Sequence, residues 1–337
     1  MLKILSEKKF NEKIVGITFN PTTKELIVGL TKTKGMSQYY DTEIWSLNQD
    51  LTLKELQFKD PLGLTELKGF DLHNEWTIVG ILSYDDGRFA KAFSLTKNGH
   101  KELLTAQKSE KKGYNHVTKL KLNNNSNSGL ILYGYGATLL VDDEAKSFSE
   151  LAELSDKKNL WLMAPLNKIQ KIDENIPDLL VVRGIYQLEG YKNKKVVFTK
   201  DYRTWIEKIF LQGYPMDVLW KYTEPDLYTL LINGGKGEPK LKMLKNFHSY
   251  WTLPHTTGPA ILQDITGEGK ENLICGGSHG RNVLAIYDNV FSQEPTLIER
   301  TTAPVFWSLL AEDINNDGIS EILTATRNTL SVYQYSN

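Results

Sequence analysis

Asp313, Asn315 and Asp317 occupy alternate positions of Asp313-Ile314-Asn315-Asn316-Asp317-Gly318-Ile319-Ser320-Glu321, with Gly318 sixth and Glu321 ninth. Oxygen-bearing side chains at positions one, three and five of a tight loop converge on one hard cation. A glycine at six permits the sharp turn, and a later carboxylate closes the shell. Asp313, Asn315, Asp317 and Glu321 therefore form a candidate weak calcium site. The same residues also fit a plain acidic turn, in which the Asp313 and Asp317 carboxylates accept from backbone N–H groups and Gly318 supplies a positive φ. An EF-hand is excluded, because it closes with Glu at position twelve, where Thr324 stands, and its flanks are helical. A second segment, Asp264 to Asn272, repeats the outline with Thr266 third, Gly269 sixth and Asn272 ninth.

The other residues that could do chemistry are scattered. Six histidines stand singly, with none of the spacings that preset a zinc site. His255, in WTLPHTTGP, and the His279-Gly280-Arg281 run suggest a cationic or hydrogen-bonding pocket for an anion or sugar, or equally turn residues. Trp251 and Trp307 precede the two acidic segments and are candidate partner contacts, since tryptophan is enriched at binding hot spots. The remaining tryptophans are expected in the core. Ser278-His279 lacks a nucleophile elbow, and no phosphate-cradling glycine motif is present. Cys275 is the only cysteine, which excludes an internal disulfide and a thiolate-rich metal site. It lies in an apolar strand-like run and is expected to be buried and inert.

Short runs of Val, Ile, Leu, Tyr and Trp must position these residues. They recur along the whole chain, separated by Gly, Asn, Asp and Pro, and almost none continues at helical spacing. The fold class is all-β. The repeating unit is strand, Asp/Gly turn, strand, Gly turn, strand. Seven units fall at 12–48, 66–98, 115–147, 160–200, 204–248, 257–298 and 302–337. At about 48 residues each they match propeller blades, so the expectation is a single seven-bladed β-propeller over 1–337. The last unit ends at its third strand, and residues 1–10 offer an unassigned strand. The ring is therefore expected to be closed by the N-terminal strand, Leu2 to Lys8 pairing with Leu330 to Tyr335. Residues 98–114 and 146–159 leave room for a short helix or an outer strand. The lysine-rich stretches 192–203 and 97–121 read as solvated outer strands.

The Asp313 to Glu321 loop resembles the calcium loop of FG-GAP repeats, found in integrin-α-like propellers. Glu321 stands where that family usually has Asp, and Asn315 where it often has Asp. One Thr-Gly and one Asp-Gly repeat without a leader is most similar to the cytosolic kaptin-like propellers. The resemblance implies a non-catalytic scaffold subunit of a multiprotein complex, working by protein–protein interaction. It also leaves an alternative open, because the same repeats occur in lectins and polysaccharide lyases, which bind carbohydrate at the channel mouth.

Composition narrows the field. The 337 residues are 40% hydrophobic and 24% charged, as in ordinary globular proteins. Lys plus Arg total 40 against 41 acidic residues, so no global field favours nucleic acid as a partner. No run approaches the roughly 18 apolar residues of a membrane span, and Met1 to Phe10 is too charged for a signal core. The expected location is cytoplasmic, the expected partners are other protein subunits or a small ligand or sugar, and no catalytic residues or cofactor beyond weak calcium are assigned.

Overall fold

The computed structural model describes residues 1–336 except 36–37, 73–74, 108–113, 122–127, 135–136, 142–143, 148–159, 166–176, 178, 184–186, 193–194, 202–212, 224–225, 236–239, 247, 255–257, 277–281 and 292–294. Among these residues the chain is all-β. The strands fall into seven antiparallel modules of four. The first strand, β1 (Leu2–Lys9), belongs to the last of them. Module one contains β2 (Lys13–Asn20), β3 (Glu25–Lys34), β4 (Gln38–Leu47) and the first half of β5 (Leu53–Leu72). Module two takes the second half of β5, then β6 (Glu75–Ser83), β7 (Phe89–Thr96) and β8 (Gly99–Thr105). Because β5 pairs with β4 up to Leu62 and with β6 from Gly63, these two modules share one seven-stranded sheet.

Module three is β9 (Tyr114–Lys121), β10 (Ser128–Gly134), β11 (Ala137–Val141) and β12 (Glu144–Ser147), and module four is β13 (Leu160–Pro165), β14 (Leu179–Arg183), β15 (Gln187–Lys192) and β16 (Lys195–Asp201). Module five is β17 (Gly213–Thr223), β18 (Asp226–Gly235), β19 (Lys240–Lys245) and β20 (His248–Pro254). Module six is β21 (Ala260–Gln263), β22 (Asn272–Gly276), β23 (Leu284–Asp288) and β24 (Thr296–Thr301). Module seven joins β25 (Ser308–Glu312), β26 (Glu321–Ala325) and β27 (Thr329–Tyr335) to β1, which pairs from Leu2 opposite Tyr335 to Lys9 opposite Thr329. Every sheet is open, with two edge strands.

The second strands show why the sequence folds this way. β22 and β26 are buried at every residue, and β3 is buried from Leu26 to Thr31. Strands covered on both faces carry uninterrupted apolar stretches, as Leu273-Ile274-Cys275 and Ile322-Leu323 do, with Asn272, Glu321 and Thr324 buried beside them. Each described core cluster draws on consecutive modules. Ile265, Ile274 and Ile286 of module six pack with Ile322, Tyr333 and Leu2 of module seven. Val28 and Leu30 of module one pack with Leu323, Leu330 and Val332 of module seven. Tyr228 and Leu230 of module five meet Leu273 and Cys275 of module six, and Val79 and Ile81 meet Val117 and Leu132. The first strands are neighbours in sequence order, β2 with β5, β5 with β9, β9 with β13, β13 with β17, β17 with β21 and β21 with β25. β25 in turn packs on β2.

A bulge recurs where the fourth strand pairs with the third. It lies opposite Ile44/Trp45, Ala92/Phe93, Gly190/Tyr191, Met243/Leu244, Ile286/Tyr287 and Val332/Tyr333. In five of these six pairs the second residue or its mate is aromatic, a signal embedded in EIWSL, KAFSL, LEGYK, LAIYD and LSVYQ. The extra residue twists the outer strand and blunts its edge.

Some expectations need correction. The first unit, placed at 12–48, runs on through β5, and the second starts at Gly63 with that strand's second half and extends to Thr105. The Asn98 to Tyr114 stretch contains an outer strand, β8, where a short helix was the alternative. His100, His116 and His248 sit in strands, and His100 is exposed. The 146–159 linker lies almost wholly outside the described residues.

Candidate functional site

The Asp313 loop joins β25 to β26, and the Asp264 loop joins β21 to β22 in the preceding module. Their backbones match. Positions four and six take positive φ in both, Gly267 at 76° and Gly269 at 75° in one, Asn316 at 62° and Gly318 at 88° in the other. Position six is glycine in both because a side chain there is strained; Asn tolerates the left-handed region at position four.

In the Asp264 loop the carboxylate collects donors. Asp264 Oδ1 accepts from the N–H groups of Thr266 at 3.1 Å and Gly267 at 2.9 Å, and Oδ2 accepts from Gly269 N–H at 2.6 Å. Burial works to raise this carboxyl, but those bonds outweigh it and hold it below its ordinary value. Buried Asn272 accepts from Ile265 N–H through Oδ1 at 3.2 Å.

The Asp313 loop keeps the bond from position six to the first Asp and the bond from position two to the ninth residue, and takes a position-five donor in place of those at three and four. Asp313 accepts from Asp317 N–H and Gly318 N–H, each at 3.0 Å. Glu321 Oε2 accepts from Ile314 N–H at 3.1 Å, as Asn272 does from Ile265. Asn315 Oδ1 accepts from Asp317 N–H at 2.8 Å, which turns its Nδ2 toward Asp317 Oδ2 at 3.0 Å and Glu321 Oε1 at 2.7 Å. Gln334 of β27 donates to the same two oxygens at 3.1 and 3.4 Å. Burial pushes the fully covered Glu321 carboxyl above the usual range. The Ile314 N–H opposes that shift, and the negative Asp317 and Asp313 add to it.

The four candidate ligands Asp313, Asn315, Asp317 and Glu321 are thus brought into one loop, and its arrangement is a hydrogen-bonded turn. Amide N–H groups, not open space, face the oxygens a calcium ion requires. Among the described residues no three His, Cys, Asp or Glu side chains converge as a metal site. As arranged, the residues do not fit a calcium ion. Sequence reasoning missed Gln334 because it arrives from another strand, and it missed the bond from Gln263 to Ser320 Oγ at 3.2 Å, which ties module six to the Asp313 loop.

Of the other candidates, Trp251 and Trp307 lie among the described residues. Trp251 lies in the outer strand β20, paired with Met243. His255, His279 and Arg281 lie outside the described residues. Trp307 stands just before β25; its N–H donates to Ala325 C=O at 2.9 Å while its residue is 54% exposed. Cys275 is fully buried in β22, and burial pushes its thiol up to about 12, leaving no thiolate near neutral pH.

No protein-family model matches this chain, and no curated protein matches it. No helix among the described residues is long and apolar enough to cross a membrane.

Proposed function

We propose that the seven modules are the blades of a closed seven-bladed β-propeller of FG-GAP type, and that it serves as a non-catalytic platform for protein–protein interaction in a multiprotein complex. The cyclic order of first-strand neighbours, β25 packing on β2, supports the ring. Pairing of the two chain ends through β1 and β27 supports closure by the N-terminal strand.

The observation that carries the functional half is Trp307. A rigid sheet end holds its backbone in a strand-like bond while more than half of the residue stays in water. An exposed tryptophan on a preorganised frame gives large contact area at little ordering cost. The acidic loops support the same reading, since their carboxylates are engaged in holding turns.

Isolation of the tagged protein from its own cells, with quantitative identification of co-purifying subunits, tests this beside a glycan array. The platform reading expects one or a few subunits recovered at fixed stoichiometry and no glycan bound. Recovery of the chain alone together with specific glycan binding would replace it with the carbohydrate reading.

A further inference from the structure

Two cations at one end of modules one and seven are held by hydroxyl groups. Lys13, which opens β2, donates from Nζ to Tyr39 Oη at 2.9 Å and lies 4.3 Å from the centroid of that ring. Arg327, in the turn between β26 and β27, donates from Nη2 to Thr33 Oγ1 at 3.1 Å. Thr33 and Tyr39 are direct partners in the β3–β4 ladder, so their side chains share a face and the two cations converge on one cross-strand pair. Their backbones are joined as well, Ile14 N–H donating to Arg327 C=O at 2.7 Å.

Among the described residues neither cation has a carboxylate within ion-pair distance, whereas other lysines of module one do. Lys32 is 3.0 Å from Asp41 and Lys59 is 2.7 Å from Glu43. The local acids act elsewhere: Asp41 first, and Glu12 more weakly, raise the pKa of Lys32. Trp307 is bonded to Ala325, two residues before Arg327, and is the most exposed aromatic among the described residues.

We infer that Lys13, Arg327 and Trp307 form the docking surface of the platform, and that it takes an acidic peptide segment of a partner protein. This rests on the platform reading above. Neutral hydroxyls position the two charges without neutralising them, and among the described residues no carboxylate does, so a pair of partner carboxylates would supply the countercharge. Trp307, whose backbone is bonded to Ala325 two residues before Arg327, suits an apolar side chain flanked by those acids. An anionic membrane is less suited, since such surfaces are bound by clusters of four to eight basic residues. A net charge of -1 offers no long-range field for nucleic acid.

The test is fluorescence anisotropy with labelled twelve-residue peptides carrying Asp or Glu pairs around Leu or Phe, against counterparts with Asn and Gln. The wild type should bind the acidic peptides at least about tenfold tighter at low salt, and more weakly as salt rises. Lys13→Gln with Arg327→Gln should remove that preference, and Trp307→Ala should weaken binding severalfold. Arg327→Gln alone, at an exposed turn, should keep the melting temperature of the wild type, so its binding loss is not a folding loss. No preference for acidic peptides, preference unchanged in the double variant, or binding only to phosphatidylserine vesicles would each overturn the proposal. Acidic-peptide binding through these residues in a protein isolated from cells without partners would keep the surface and remove the platform reading. A fixed partner retained by the double variant, with peptide binding unchanged, would remove the surface alone.

Discussion

The Asp264 turn of module six and the Asp313 turn of module seven have the same backbone, and the same bond from position two to a buried ninth residue. They differ at that residue. Asn272 satisfies Ile265 N–H as a neutral amide, whereas Glu321 places a carboxylate beside Asp313 and Asp317 and is covered by two amides, from Asn315 and Gln334. The turn geometry is therefore set by the first Asp and the positive-φ positions, and the ninth residue decides only how much charge the turn must hold. The modules also differ in origin. Module six comes from one continuous segment, while module seven takes its outer strand from the opposite end of the chain.

That second difference gives the largest expected effect. Deleting residues 1–10 removes β1 and the buried side chains of Leu2 and Phe10 from two core clusters, and it leaves β27 as an open edge. A cost on the order of 3–5 kcal/mol, and a melting temperature lower by roughly 10 °C or outright aggregation, is expected. An unchanged melting curve would show that β1 adds nothing to module seven.

Alanine at the first turn position separates the two loops. Asp264→Ala abandons three backbone N–H donors and should cost about 2 kcal/mol; Asp313→Ala abandons two and also relieves Glu321, so about 1 kcal/mol is expected. Chemical denaturation measures both, and equal costs would erase the distinction. Acid sharpens it. Asp264 is held below its ordinary value of 3.8, so its contribution is present above that pH and is lost as pH falls through the lowered value.

Glu321 has the opposite sign. Its carboxyl is raised above 4.5, so the wild type loses stability as pH rises from 4.5 through the raised value, and Glu321→Gln does not. The stability of Glu321→Gln relative to wild type should climb over that window and level off above it. A difference that stays flat from pH 4 to 8 would mean the carboxylate is not a burden in the fold. The smallest effect concerns calcium: millimolar calcium against chelator should leave wild type and Asp313→Ala melting curves unshifted. A calcium-dependent rise in wild type alone would show that Asn315 and Gln334 yield their places to the ion.

Much of this was legible in the residues because it is local. Strand runs, the Asp/Gly turns and the strand role of the N-terminal segment are written in consecutive side chains, and the pairing of Leu2 with Tyr335 follows from a unit one strand short. The site was less legible. Asp313, Asn315, Asp317 and Glu321 were visible as a group, but whether they face a cation or one another depends on Gln334, thirteen residues beyond Glu321 on another strand. The convergence of Lys13 and Arg327 on Thr33 and Tyr39 joins distant segments, and no spacing rule reaches across them. The double duty of β5 was also hidden, since residues 49–65 fall between the first two units read from the sequence. Asp60 instead bonds Leu62 N–H at 2.9 Å and pairs with Lys91 at 2.7 Å within a continuing strand.

The platform role is tested most directly by native mass measurement of the protein isolated from its own cells at its natural level. It predicts a heteromeric assembly of fixed mass well above the 38.4 kDa chain, disrupted by Trp307→Ala with Arg327→Gln while the variant stays folded. A 38.4 kDa monomer under the same mild conditions, unchanged by those substitutions, would contradict it.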